Sequence, residues 1–94
     1  MISELCICDL AGNVSVVMRH AGHIEAPNWH KDGYLIVNGG GRLFRVALDH
    51  PVLDPIDTDF ATKCNNDHGI SPDGTILVIS DKSRTVESCI YTVP

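Results

Sequence analysis

Aromatic side chains are scarce in this 94-residue chain. At 5% they are limited to Trp29, Tyr34, Phe44, Phe60 and Tyr91, so aliphatic residues must carry the core and each ring is positional. No apolar run approaches the roughly 20 residues that a membrane span needs. Met1-Ile2-Ser3-Glu4 lacks the basic start of a secretory signal, so a cytoplasmic chain with no membrane partner is expected. Positive charge is short too. Seven scattered Lys and Arg stand against twelve Asp and Glu, a net charge of −5, which argues against a nucleic-acid partner, because that affinity rests on clustered cations. No segment keeps a helical period over three turns, and Pro51 and Pro55 exclude helix locally. The expected fold class is all-β. The cysteines at 6, 8, 64 and 89 do not match zinc-ribbon spacing. Four reduced, mostly buried thiols are expected from the usual burial of free cysteine.

What the chain does have is a repeat. Ser71-Pro72-Asp73-Gly74 is a tight turn: proline presets φ, Asp73 can bond local backbone, and Gly74 accepts φ > 0. Ile70 leads in and the Ile76 to Ile79 run leads out, which predicts a hairpin whose outgoing strand is buried on both faces. Trp29 to Val37, containing the weaker turn His30-Lys31-Asp32-Gly33, lies over Ile70 to Val78 at a constant offset of 41 residues. A period of about 40 to 45 with several short strands per unit is what propeller blades show. Asp32, Gly33, Pro72, Asp73 and Gly74 are thus assigned to turn structure.

The two turns, each followed by an apolar strand, together with Glu25 to Trp29, Gly41 to Val46 and Cys64 to Ile70, resemble the WD40-like repeat of TolB-type β-propellers. The resemblance covers nearly the whole chain and implies blades that are four-stranded antiparallel meanders, about two per chain. Naming the strands of a blade a to d from the axis outward, the chain reads c, d, a, b, c, d, a, b, c. The strands are expected at Ser3 to Leu10, Val14 to Met18, Ala26 to Trp29, Tyr34 to Asn38, Arg42 to Leu48, Ile56 to Thr58 (after a turn over Asp49 to Asp54), Asp67 to Ile70, Thr75 to Ser80 and Cys89 to Val93. This is one domain, 1–94, with repeat 1 over about 24–60 and repeat 2 over about 65–94. The strands within 3–18 are expected to contribute to a neighbouring blade.

A meander places the d-to-a and b-to-c loops at one end of the blades. Those loops, His20 to Glu25, Gly39 to Arg42, Cys64 to His68 and Asp81 to Ser88, hold the candidate ligand-binding residues His23, Glu25, Asn65, Asn66, Asp67 and His68, with Asn28 beside them. Asp67 and His68 precede an innermost strand, and imidazole with carboxylate suits zinc, manganese or iron. A divalent metal there is one reading, and a hydrogen-bonded Asp-His pair tying the loop is the other. Propeller lyases acting on oligogalacturonate look similar in repeat and use channel histidines with a metal; of such histidines only His68 has a counterpart here. Cys64, Asn65 and His68, or Asp67, His68 and Ser71, have the composition of hydrolase sites but lie too close along one extended segment to converge. Trp29, aligned with Ile70, is expected in the core.

The function expected is a non-catalytic binding or scaffold module presenting its upper loops to a protein or small-ligand partner, with no cofactor required. A metal-dependent lyase or hydrolase is the alternative. Two blades leave two sheet faces bare, and closed rings hold four to eight blades. Self-association, as a homotrimer completing six blades, is therefore expected.

Overall fold

The computed structural model describes residues 1–94 and contains nine strands and no helix. The strands are β1 (Ser3–Cys8), β2 (Val14–His20), β3 (Glu25–His30), β4 (Tyr34–Gly39), β5 (Arg42–Ala47), β6 (His50–Pro55), β7 (Gly69–Ile70), β8 (Leu77–Asp81) and β9 (Cys89–Val93). They form three antiparallel meanders: a two-stranded sheet β1-β2, a four-stranded sheet β3-β4-β5-β6, and a three-stranded sheet β7-β8-β9. β2 lies against β6 and β3 against β7, so the sheets fan out with a strands beside a strands and d strands beside d strands. The order c, d, a, b, c, d, a, b, c holds. β1 and β2 form a sheet of their own.

Two cores separate the sheets. Leu5 of the first sheet meets Leu35, Val37 and Val46 of the second. Ile36 and Leu43, on the opposite face of the second sheet, meet Leu77 and Ile79 of the third, together with Ala61 and Cys64 from the intervening loop. The second sheet is covered on both faces, which is why Leu35, Ile36 and Val37 are all buried. The expectation that the Ile76 to Ile79 run is buried on both faces fails. Leu77 and Ile79 are buried, but Ile76 and Val78 are exposed, because no fourth sheet covers the outer face of the third.

The 41-residue offset is also not constant. His30 pairs with Tyr34 across the first turn, whereas Ile70 pairs with Leu77 and Ser71 N–H donates to Ile76 C=O across the second. The second turn is one residue longer, and a one-residue slip exchanges the faces of a strand. By packing, Leu35 and Val37 correspond to Leu77 and Ile79, since each pair faces the preceding sheet. β8 accordingly starts at Leu77 and not at Thr75.

Three further expectations are corrected. The stretch 49–54, read as a turn, is mostly β6, paired to β5 through Phe44↔Pro55, Arg45↔Asp54 and Ala47↔His50, and 56–58 is not a strand. Pro51 and Pro55 are tolerated because β6 is an edge strand whose outward N–H groups need no partner. Trp29 is 60% exposed. It pairs with Leu35 and so points toward the first sheet, whose two strands stand at positions c and d. Of the thiols only Cys64 is buried; Cys6 and Cys8 are exposed and Cys89 is intermediate, with no disulfide. Cys6 and Cys8 pair with Val16 and Val14, on the face of the first sheet turned away from the core.

Candidate functional site

His68 enters the inner strand of the third sheet and is half-buried between sheets. Its Nδ1 lies 2.5 Å from Asn28 Oδ1 and its Nε2 3.0 Å from Asn38 Oδ1. Asn38, only 4% exposed, donates through Nδ2 to Glu25 Oε1 at 3.2 Å, and Glu25 Oε2 lies 3.1 Å from His23 Nε2. A continuous polar chain, His23–Glu25–Asn38–His68–Asn28, therefore joins two blades at the end where the d-to-a and b-to-c loops meet.

Local backbone makes this possible. Glu25 and Asn28 are three apart, so plain alternation would send them to opposite faces. The β3–β4 ladder slips between them, where Ala26 takes φ 56° next to Pro27. That bulge puts Glu25 opposite Asn38 and Asn28 opposite Ile36, both on the face turned to the third sheet.

The hydrogen-bond pattern sets the protons. With its Nδ2 held by Glu25, Asn38 can offer His68 only its oxygen, so Nε2 carries a proton and donates. Asn28 makes no other side-chain hydrogen bond; its oxygen suits a protonated Nδ1, and a turn of the amide presents its nitrogen to a neutral ring. Burial holds the His68 pKa below its ordinary value, while the negative charges of Asp67 and Glu25 oppose that shift. Glu25 itself is held below the usual carboxylate range, first by the Asn38 amide and then by His23.

Of the sequence candidates, His23, Glu25, Asn28 and His68 come together. Asn65 does not join them. Its Oδ1 accepts from Asp67 N–H at 2.9 Å, and its Nδ2 donates to Ser80 Oγ at 3.2 Å, tying the loop to the third sheet. Asn66 and Asp67 are exposed. The hydrogen-bonded Asp67–His68 pair gives way to an amide–imidazole–amide sandwich. No group of three or more His, Cys, Asp or Glu side chains is placed to hold a metal ion; both His68 nitrogens face amides, and Asp67 is exposed. Asn38 was not among the candidates. Its signal was a polar residue closing an apolar run at a buried position, as Ser80 does in the next repeat.

The turn residues sit at the opposite end. Gly33 and Gly74 take φ of 89° and 78°. Asp73 Oδ1 accepts from Ser71 Oγ (2.7 Å), Thr75 N–H (3.1 Å) and Thr75 Oγ1 (2.8 Å), and these donors, Ser71 first, pull its pKa down to about 2. Asp32 N–H donates to His30 Nδ1 at 3.0 Å, which leaves Nε2–H to donate to Gly74 C=O at 2.7 Å. His30 thereby links one turn to the next and is a buried structural histidine. A second buried polar node, Asp81, accepts from Lys63 N–H and Ser83 N–H, each at 2.8 Å.

Comparison with known proteins agrees with the geometry. No family model matches the chain. An uncharacterised protein of Agrobacterium fabrum is 54% identical over 81 residues, covering 84% of this chain and 28% of its own length. A solved structure from Agrobacterium tumefaciens, provisionally designated TolB, superposes with a TM-score of 0.85 at 48% identity, over 87% of this chain and 30% of that one. The chain thus spans less than a third of either relative. Its sheets are β-propeller meanders of the kind in that structure, one complete four-stranded blade flanked by a two-stranded and a three-stranded part of a blade.

Proposed function

We propose that the chain is a non-catalytic propeller binding module whose contact surface is centred on the His23–Glu25–Asn38–His68–Asn28 chain. The observation that carries this reading is that four segments from two blades deliver fixed donors and acceptors to one end of the inner strands, with no nucleophile beside a base. Such a surface suits a polar peptide segment or small polar ligand that reads preset hydrogen-bond directions. A metal-dependent reaction would need His68 released from at least one amide.

The test is a selection from a random peptide library against the purified chain, with a parallel zinc and manganese chloride titration. Selected peptides should lose at least tenfold in affinity on Asn28→Ala or His23→Ala. Peptides indifferent to both substitutions would sink the binding surface. A rise in melting temperature with either metal that disappears in His68→Ala would favour the enzyme instead.

A further inference from the structure

The seven Lys and Arg are scattered along the sequence, but the fold gathers three of them. Lys63 lies on the loop that enters the third sheet, and Lys82 and Arg84 lie on the loop between β8 and β9. Lys82 N–H donates to Lys63 C=O at 3.3 Å, so the two loops run side by side. Between them opens a hollow of about 480 Å³, lined by Lys63, Lys82, Ser83, Arg84, Thr85 and Val86. Both walls come from this chain. The hollow lies at the upper ends of the strands and not on a sheet face, where another sheet would stack.

The walls are fixed and the cations are free. Asp81, 1% exposed, accepts from Lys63 N–H and Ser83 N–H at 2.8 Å each and from Ser83 Oγ at 3.0 Å, and Thr62 N–H donates to Ser83 Oγ at 3.1 Å. The carboxylate beneath the hollow is thus engaged by backbone and hydroxyl donors, a network that pins the two loops to each other. Lys63, Lys82 and Arg84 are exposed. None of their side chains makes a hydrogen bond or an ion pair; the ion pairs of the chain are those of Arg19, His23 and His30. The Arg84 guanidinium rests 3.7 Å from the centroid of the Phe60 ring, a stacking that orients the group and leaves its N–H donors unfilled. Glu87, on the same loop, does not line the hollow.

We infer that this hollow docks an acidic segment of a partner polypeptide, whose carboxylates pair with Lys63, Lys82 and Arg84 while an apolar side chain rests on Val86. Charge decides the sign of the partner. The chain as a whole carries −5, but at physiological salt exposed charges more than about 8 Å apart are largely screened, so distant acids do not cancel the three cations. The number of cations and the rim decide its class. Polybasic contacts with anionic lipid use about four to eight cations, and nucleic-acid affinity is built from many phosphate contacts; three cations suit a short run of carboxylates better than either. A free inorganic anion would meet the cations but not Val86, which is 97% exposed at the tip of the loop. A peptide can meet both. No residue of the His23–Glu25–Asn38–His68–Asn28 chain lines the hollow, and docking here is independent of that surface.

Fluorescence anisotropy on the full chain tests it, with a labelled synthetic peptide carrying three glutamates on each side of one leucine. The peptide should bind, and its affinity should fall at least tenfold as sodium chloride rises from about 50 to 300 mM. Lys63→Glu and Lys82→Glu, both at exposed positions, should each weaken binding at least tenfold with an unchanged melting temperature, and Lys82→Gln should weaken it less. His23→Ala and Asn28→Ala should leave it unchanged, which separates this hollow from the contact surface proposed above. The same peptide with glutamine in place of glutamate should not bind. Absence of binding by the acidic peptide, equal binding by its glutamine version, or an affinity indifferent to both charge reversals would overturn the proposal. So would a chain that ignores the peptide but sediments with phosphatidylglycerol vesicles through Lys82, which would assign the cations to a membrane surface.

Discussion

At the scale of single residues, the turn glycines separate conformation from contact. Gly33 and Gly74 share positive φ, but a Cβ at Gly33 meets nothing within 4 Å, while one at Gly74 falls 2.6 Å from His30 Nε2. A β-branched side chain at φ > 0 costs roughly 1 to 3 kcal/mol at either site. Gly74→Val also dislodges the His30 bond to Gly74 C=O, about 1 kcal/mol more, so its urea midpoint should fall further than that of Gly33→Val; equal midpoints would refute this. His68 makes a second case. His68→Ala leaves the buried Asn38 oxygen without a donor, at a cost of about 1 to 3 kcal/mol. Because burial lowers the His68 pKa below its ordinary 6.5, the unfolded chain takes up the proton first as pH falls. The stability contributed by neutral His68 is therefore complete above pH 6.5 and lost progressively below it. Melting temperatures from pH 7.5 down to 5.5, read against His68→Gln, should show a steeper decline for the wild type, and parallel curves would remove His68 as the cause. The turn glycines were legible in the sequence because Ser-Pro-Asp-Gly carries its own mechanism. The His68 partners were legible only in part: Asn28 and Glu25 reach one face through a bulge at Ala26-Pro27, and a period-two reading has no signal for the bulge.

Strands report their neighbours as much as their own sequence. β4 and β8 are similar apolar runs, yet β4 is buried on both faces and β8 on one, because burial depends on which sheets flank them. For the same reason Trp29 is exposed although its repeat partner Ile70 packs on a core; the sequence could align the two but could not show that the β1-β2 pair does not reach over Trp29. β6 was hidden by its prolines, which an edge strand accepts and a central strand does not. The pair Leu43 and Ile90 turns this into a measurement. They occupy equivalent places on strands β5 and β9, one fully buried and one 66% exposed. Leu43→Ala should cost about 2 to 5 kcal/mol through lost burial and a cavity. Ile90→Ala, read in urea, should stay within about 0.5 kcal/mol of the wild type. A large loss for Ile90→Ala would mean that its face is covered.

For the whole molecule, thiol chemistry reads packing directly. Cys6 and Cys8 are exposed on the first-sheet face turned away from the core, while Cys64 is buried between the second and third sheets and its thiol is pushed up to about 11, by burial first and then by Asp81. Thiolate is the reactive form, so Cys64 should stay silent toward a disulfide reagent at neutral pH while the chain is folded. Cys6 and Cys8 should react quickly, and Cys89, near the upper loop, at an intermediate rate that follows its intermediate exposure. Adding urea should bring Cys64 to the rate of the exposed thiols only across the unfolding transition. Fast labelling of Cys64 in the native chain would mean that the packing between the second and third sheets opens, and would count against the core that joins them.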